Sequence, residues 1–318
     1  MNTFCTIITA DHIHYALALR KSLLDFGSDF DFHILVSGNE RALKDQIENK
    51  YKNTLVHFAE DLCNKGIGKA IHSKYYPGNM DAFRWSMKPV FIKYLLQEKN
   101  CNKVIYTDCD IHFYNDYHFL LDELDQYNVL ITPHWRSSDP HADLPNFEIL
   151  YTSGIYNGGF IGANKNAIAA MEWWAMACEF ICVKDAAIGM FVDQVHLNLL
   201  PVYFEGVGIV RHKGCNVANW NMVECKRTLI PGSQTVVIAG KFPVVFIHFT
   251  QSMIDGITSG VDRLLLPYLE KYYEAINSFS TELVFPELTI PQLPEIKFKI
   301  EKTTGVQKIK TLIKKVIR

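Results

Sequence analysis

Lys103-Val104-Ile105-Tyr106-Thr107-Asp108-Cys109-Asp110 is the stretch on which the fold turns. Val104, Ile105 and Tyr106 are β-branched or aromatic and unbroken by Gly or Pro, which predicts a short, buried strand. Two carboxylates follow, one residue apart, where that strand ends. In an open α/β sheet, ligands bind outside the carboxyl ends of the strands, so Asp108 and Asp110 are expected where a ligand sits. Acids this close repel unless a cation lies between them. Carboxylate oxygens suit Mg²⁺ or Mn²⁺, and such a metal commonly bridges protein carboxylates to substrate phosphates. The spacing alone does not decide the matter, because Asp29-Phe30-Asp31 repeats it. That pair precedes its strand, Phe32 to Val36, and reads as a solvated turn at the amino edge.

Working outward toward the amino terminus, strand-like and helix-like segments alternate. Phe4 to Ala10 reads as a strand, Ile13 to Phe26 as a helix stopped by Gly27, and His33 to Val36 as a strand. Leu43 to Tyr51 reads as a helix and Thr54 to Phe58 as a strand. This is the layout of a mononucleotide-binding half, and it predicts an α/β fold with a mixed, mainly parallel sheet. Asp11, after the first strand, is expected to cap the following helix. Lys65-Gly66-Ile67-Gly68-Lys69 is no phosphate-gripping loop and reads as a mobile turn. Asp81 to Leu96 reads as helical segments with Pro89 near a helix start. Arg84 and Lys88 are four apart and share a face, which is either solvated or aimed at a diphosphate beside the metal.

Toward the carboxyl terminus, Tyr127 to Thr132 is a strand, and Pro133 to Thr152 reads as a long polar loop. The His134, Asp139, His141 and Asp143 cluster in it has irregular spacing and reads as surface rather than metal site. Ile155 to Ala163 has strand character with Gly158, Gly159 and Gly162 inside it. Glycine there marks close approach to the backbone, by a sugar ring or by tight packing. Ala167 to Ile181 is a helix whose Trp173 and Trp174 read as core. Phe191 to Leu200 reads as a short helix closed by Pro201, with Asp193 or Gln194 turned into a site. Arg211 to Asn221 is a polar loop able to hold a carbohydrate face against Trp220. Phe242 to Phe249 is a strand with His248 near its end.

The chain has 318 residues, 48% of them hydrophobic, and a net charge of −2. That length suits one large domain with a small appendage, and the charge gives no overall pull toward nucleic acid. Eight cysteines without Cys-x-x-Cys spacing and no signal peptide point to a reduced, cytoplasmic protein. No run is long and apolar enough to span a bilayer. From residue 297 to 318 there are eight basic residues and one acid. Val306, Ile309, Ile313 and Val316 recur there at helical spacing among Lys308, Lys310, Lys314, Lys315 and Arg318. Such a basic amphipathic helix, over 304–318, reads as a partner-docking helix, an ordinary terminal helix or, the favoured reading, an anchor on an anionic membrane surface, peripheral on its inner face.

Taken in order, these pieces resemble a nucleotide-sugar glycosyltransferase of the GT-A fold. They are most similar to the retaining galactosyl- and glucosyltransferases of family eight, over roughly Phe4 to Thr250. The resemblance rests on Ala10, Asp11, Tyr15 and Ser22-Leu23, a basic residue at Arg84 or Lys88, and Asp108-x-Asp110. It continues through Asn157-Gly158-Gly159-Phe160, Asp193-Gln194, Asn216 with Trp220-Asn221, and His248-Phe249. It implies that Ala10, Asp11 and Tyr15 hold the uridine, and that Arg84, Lys88, Asp108, Asn157, Gly158 and Gly159 meet the donor. It implies Asn216, Trp220 and Asn221 on the acceptor side, and Asp108, Asp110 and His248 as ligands of Mn²⁺ or Mg²⁺. Gln194 or Asp193 would lie on the β face of the sugar. The family continues from His-Phe to Ser-Gly and Lys-Pro-Trp; here Thr250-Gln251-Ser252-Met253 follows, with no Lys or Arg until Arg263. A phosphate contact is therefore missing or supplied elsewhere.

The expectation is a GT-A domain over 1–285 and a basic tail over 286–318. The expected chemistry is transfer of a hexosyl group from a nucleoside-diphosphate sugar, a UDP-sugar by the resemblance, to a carbohydrate, glycolipid or glycoprotein acceptor. Two other classes fit parts of the pattern. A glycan-binding module would use Trp220 without a metal. A sugar-1-phosphate nucleotidyltransferase would open with a Gly-rich loop that Thr9-Ala10-Asp11-His12 does not provide.

Overall fold

The computed structural model describes residues 2–233 and 235–280. The chain begins with β1 (Asn2–Ile8), α1 (Ile13–Leu24), β2 (Phe30–Val36), α2 (Ala42–Lys50) and β3 (Thr54–Phe58). It continues through α3 (Gly66–Tyr75), α4 (Met80–Gln97), β4 (Lys103–Thr107), β5 (Ile111–Phe113) and α5 (His118–Gln126). Next come β6 (Val129–Pro133), α6 (Leu144–Ser153), β7 (Tyr156–Asn164), α7 (Ile168–Phe180), β8 (Lys184–Asp185) and β9 (Met190–Phe191). The last elements are α8 (Leu200–Tyr203), β10 (Val207–Ile209), β11 (Arg227–Leu229), β12 (Val236–Ile238), β13 (Phe242–Pro243), β14 (Phe246–His248), α9 (Gln251–Thr258) and α10 (Leu266–Ser280).

Seven strands form the central sheet in the order β10-β6-β7-β4-β1-β2-β3. Every pairing is parallel except the two made by β7. The strands read as near-continuous hydrophobic runs because helices cover both faces. On one face α4 and α7 bury Phe83, Met87, Phe91 and Trp174 against Val104 and Tyr106. On the other, α1, α2 and α5 bury Ile13, Leu17, Ile47 and Leu120 against Phe4, Phe32 and Ile105. A third core joins α9 and α10 to β12 and β14 through Met253, Leu269, Ile238 and Ile247.

Two departures from parallel order create the site. Because β7 runs against β4, its first residues arrive at the carboxyl edge, where the Asp108 N–H donates to the Gly159 carbonyl at 2.9 Å. The short antiparallel pair β5–β14 sets His248 opposite Ile111, and the Phe249 N–H donates to the Asp110 carbonyl at 2.8 Å. A histidine almost 140 residues downstream is thereby fixed beside the acids.

Several expectations are corrected. Pro89 lies inside α4, not at a helix start. It removes one backbone donor, but burial of Phe83, Met87, Phe91 and Leu95 holds the helix on either side. Lys65–Lys69 is not a turn: α3 begins at Gly66, and a Cβ on Gly68 would lie 2.4 Å from the Leu62 carbonyl oxygen. The polar 133–152 stretch contains α6, capped by the Asp143 carboxylate accepting from the Asn146 N–H at 3.3 Å. Pro201 opens α8 after a 3-10 segment, Gln194–Leu199, and does not close an α-helix. Phe242–Phe249 is split into β13 and β14. Asp11 makes no cap; its carboxylate faces His12 Nδ1 at 3.0 Å. No helix among the described residues is long and apolar enough to cross a membrane. The predicted 304–318 helix lies outside the described residues.

Candidate functional site

The site is built from β4 outward. Tyr106 and Asp108 are two residues apart and share a face of the strand, and the Tyr106 hydroxyl donates to Asp108 Oδ1 at 2.6 Å. Lys88, one helical turn beyond Arg84, reaches the same carboxylate at 3.1 Å, Asp193 Oδ2 at 3.3 Å and the Gly158 carbonyl at 3.0 Å. Lys88 is 5% exposed and Asp193 1%. Burial opposes the ammonium, but Asp108 and Asp193 outweigh it and raise the Lys88 pKa. Burial lifts Asp193 to about 6, with Lys88 pulling it back and Asp108 adding to the rise.

Asp193 is aimed inward by its backbone. The Trp174 indole N–H donates to its carbonyl at 2.9 Å, and Val192 before it has φ +46°, costly for a β-branched residue and typical of functional sites. Next to it, Gln194 Nε2 donates to the Ser153 carbonyl at 2.8 Å. The glycines of β7 make room for these groups. A Cβ on Gly158 would lie 2.8 Å from Asp193 Oδ2, and one on Gly159 would lie 2.5 Å from His248 Cε1. Both glycines thus sit in close contact with the protein's own side chains while lining the cavity edge.

The donor atoms of Asp108, Asp110 and His248 all lie within 4.8 Å of one another. His248 Nε2 is 3.1 Å from Asp110 Oδ1 and 3.9 Å from Asp108 Oδ2. Burial opposes the imidazolium, but Asp110 raises the His248 pKa; burial likewise raises Asp110, and His248 outweighs it and lowers it. Behind the ring, His248 Nδ1 lies 3.3 Å from Asn216 Oδ1, and Asn216 Nδ2 donates to Thr132 Oγ1 at 3.2 Å. A proton on Nδ1 shared with Asn216 leaves Nε2 to face the acids, the arrangement found behind metal-binding histidines. Two carboxylates and an imidazole form a donor set that fits a divalent cation such as Mn²⁺.

Two cavities meet at this cluster. The first, about 400 Å³, is lined by His12, Tyr15, Arg84, Phe249, Tyr272 and Tyr273. The second, about 450 Å³, is lined by His134, Arg136, Asn157, Gln194, Trp220 and His248. Trp85, Lys88, Asp108 and Asp110 line both. An elongated ligand could therefore lie across the acids with one end in each cavity.

No protein-family model matches the chain. It is similar to two Bacillus subtilis (strain 168) proteins that bear the name uncharacterized protein. YfnF is 26% identical over 289 residues, 86% of this chain and 90% of that protein. YfnD is 26% identical over 257 residues, 78% and 76%. Among solved structures, the galactosyltransferase LgtC with donor and acceptor sugar analogs superposes with TM-score 0.54 at 14% identity, over 92% of this chain and 98% of that one. Mouse xyloside xylosyltransferase 1 gives TM-score 0.51 at 12% identity, over 80% and 99%. The glycosyltransferase GlyE of Streptococcus pneumoniae TIGR4 gives 0.51 at 14% identity, over 88% and 63%. The fold is GT-A.

Within it the motif residues separate into positions. Asp108, Asp110, His248, Lys88, Asp193, Gln194, Asn157, Gly158, Gly159 and Trp220 gather around the second cavity. Tyr15 and Arg84 line the first, where Arg84 also pairs with Asp81. Ala10 is buried and Asp11 sits beside His12, and neither lines the cavity. Asn216 stands behind His248, while Asn221 is fully buried and closes its own loop by donating to the Asn216 carbonyl at 2.9 Å. Sequence reasoning passed over Arg136, Lys184, Tyr272 and Tyr273, and it read His134 as surface and Tyr106 only as buried strand; all six line a cavity. The β-strand period of two from Asp108 could have found Tyr106. Tyr272 and Tyr273 lie on α10, beyond every recognised motif, and carried no such signal.

Proposed function

We propose that this protein is a metal-dependent glycosyltransferase that moves a hexosyl group from a nucleoside-diphosphate sugar to a hydroxyl of a glycan or glycoconjugate. The observation that carries this reading is the convergence of Asp108, Asp110 and His248 between two cavities at the carboxyl edge of a GT-A sheet. Asp108, Asp110 and His248 would hold Mn²⁺ or Mg²⁺. When bound, that cation supplies Lewis-acid neutralisation of the leaving diphosphate.

The chain's own residues do the rest. Tyr15 borders the nucleoside end, and Ala10 and Asp11 join it there by family resemblance, as does a UDP-sugar as the donor. Lys88 and Arg84 add positive charge near the diphosphate. Lys88 also fixes Asp108 and Asp193 relative to each other. Asn157, Gly158 and Gly159 border the donor sugar. Gln194 and Asp193 lie at the wall of the sugar cavity, which suits a retaining transfer with one of them on the β face. Trp220 offers an acceptor platform, held by the loop that Asn216 and Asn221 order. The basic 304–318 segment would bring the enzyme to an anionic membrane surface.

The test is thermal stabilisation by UDP, dTDP, GDP and CMP, each with Mn²⁺ and with chelator. A metal-dependent shift with UDP alone supports the transferase and its donor. A shift with another nucleotide keeps the class and changes the donor. No shift with any nucleotide removes the reading in favour of a glycan-binding module.

A further inference from the structure

We propose that the second cavity takes an anionic acceptor, a glycan bearing a carboxylate or phosphate, selected by Arg136 and Lys184. This rests on the transferase reading of the same site.

The argument starts from which charges are matched. The acids lining the second cavity are already engaged: Asp108 and Asp193 face Lys88, and Asp110 belongs to the cluster with Asp108 and His248. Arg136 and Lys184 line that cavity and not the first, and neither has an ion pair among the described residues. The Arg136 Nη1 donates to the neutral Asn146 Oδ1. Its Nε is buried with no partner among the described residues. Burial lowers the Arg136 pKa to about 10, with Asp143 pulling weakly the other way. The half-buried guanidinium reaches Asp143 only through Asn146 and keeps donors to spare, and its planar fork matches carboxylate or phosphate oxygens. Lys184 is exposed, with its ammonium 5.1 Å from the Phe191 ring centre.

The surroundings agree. Burial, reinforced by Arg136, lowers His134 to about 3, so at neutral pH it adds no charge. Trp220 stands edge-on to His134 and His248, and its indole N–H is buried without an acceptor among the described residues. A sugar packed on this ring could supply that acceptor. Trp135, adjacent to Arg136, has φ +51°, a strained conformation that the surrounding structure must hold.

The test uses the full chain, with and without UDP and Mn²⁺. Methyl β-glucuronide, glucose 6-phosphate and methyl β-glucoside are titrated by saturation-transfer NMR. One anionic probe is expected to bind at least about tenfold tighter than the neutral glucoside, the scale of one charge-assisted hydrogen bond. Arg136→Gln should remove that preference and Lys184→Gln should weaken it, both with unchanged UDP affinity. Lys184 is exposed, so its variant remains informative if Arg136→Gln does not fold. A preference for the glucuronide identifies a uronic acid; one for the 6-phosphate identifies a phosphorylated acceptor. Equal binding of charged and neutral probes, or binding of neither anion, overturns the proposal. So does a loss of UDP affinity in the variants, because the cations would then serve the donor. Failure of metal-dependent UDP binding, measured in the same titration, sinks the transferase reading separately.

Discussion

His33 on β2 and Lys88 on α4 are buried to a similar degree, 3% and 5% exposed, yet they meet burial in opposite ways. His33 Nδ1 lies 2.9 Å from His57 Nε2, the two rings stacked 5.1 Å apart at 3°. Burial lowers His33 to about 3 and His57 to about 4, so both are neutral at pH 7. Lys88 stays charged because two carboxylates lie within 3.3 Å. At His33, then, the fold removes charge. At Lys88 it keeps charge and surrounds it with opposite charge. Buried ion pairs seldom stabilise a fold against an apolar alternative, so a cluster kept charged in spite of this points to chemistry rather than stability.

The strongest way to break this contrast is Lys88→Met. It leaves Asp108 and Asp193 facing each other without a cation, and unfolding in urea at pH 7 should lose about 3–5 kcal/mol. Adding Asp193→Asn should return part of that loss. If Lys88→Met costs nothing, the cluster is not held by opposite charges. Next in size is Asp110→Asn. Under the proposed function it should abolish stabilisation by UDP with Mn²⁺, about 2.7 kcal/mol at a hundredfold excess over Kd. A variant stabilised like the wild type would remove the metal site.

The same contrast explains how much was legible in the sequence. The acids were readable because a short apolar strand ends in them, and Thr54–Phe58 because its neighbours punctuate it cleanly. Lys88 was readable only as one of two basic residues on a helix face; nothing local says that it, and not Arg84, reaches Asp193. That choice depends on how α4 packs against α7, which also carries the helix through Pro89. The 133–152 stretch was misread for a related reason. Its polarity suggested loop, although Asp143 and Pro145 form a helix start, and His134 and Arg136 are turned inward by contacts with Gly154 and Asn146. Tertiary packing decides these cases, and local pattern does not hold it.

The neutral side of the contrast is sharpened by pH. The folded pKa of His33, about 3, lies below its unfolded value near 6.5. Between those values the unfolded chain binds the proton and the folded chain does not. Its effect on stability is therefore absent above about pH 6.5 and grows as pH falls toward 3. His57 and Lys99 strengthen the shift, and Glu48 opposes it. Replacing His33 with Leu should reduce the acid-induced loss by about 1.4 kcal/mol per pH unit below about 6.5, read as the difference between urea midpoints. Parallel curves for variant and wild type would mean that His33 is charged in the fold.

Tyr272 tests whether the carboxyl edge also holds groups that are neither neutralised nor paired. It is 1% exposed, stacks on Phe249 at 4.3 Å, lines the first cavity, and has a hydroxyl with no partner among the described residues. Burial raises its pKa well above the usual tyrosine value and Asp110 adds to the rise, so it is a hydroxyl donor and not a phenolate. An unsatisfied buried hydroxyl is a cost to the empty protein. A ligand oxygen near Asp110 would relieve it, at a site where the chain offers no Lys or Arg between His248 and Arg263. Tyr272→Phe should therefore leave the nucleotide-free protein equally or more stable, by up to about 1 kcal/mol. The same change should weaken UDP binding about five- to tenfold. A purely structural hydroxyl would give the opposite pattern, with stability lost and affinity kept, and that result would assign Tyr272 to the core and leave the diphosphate to Arg84 and Lys88.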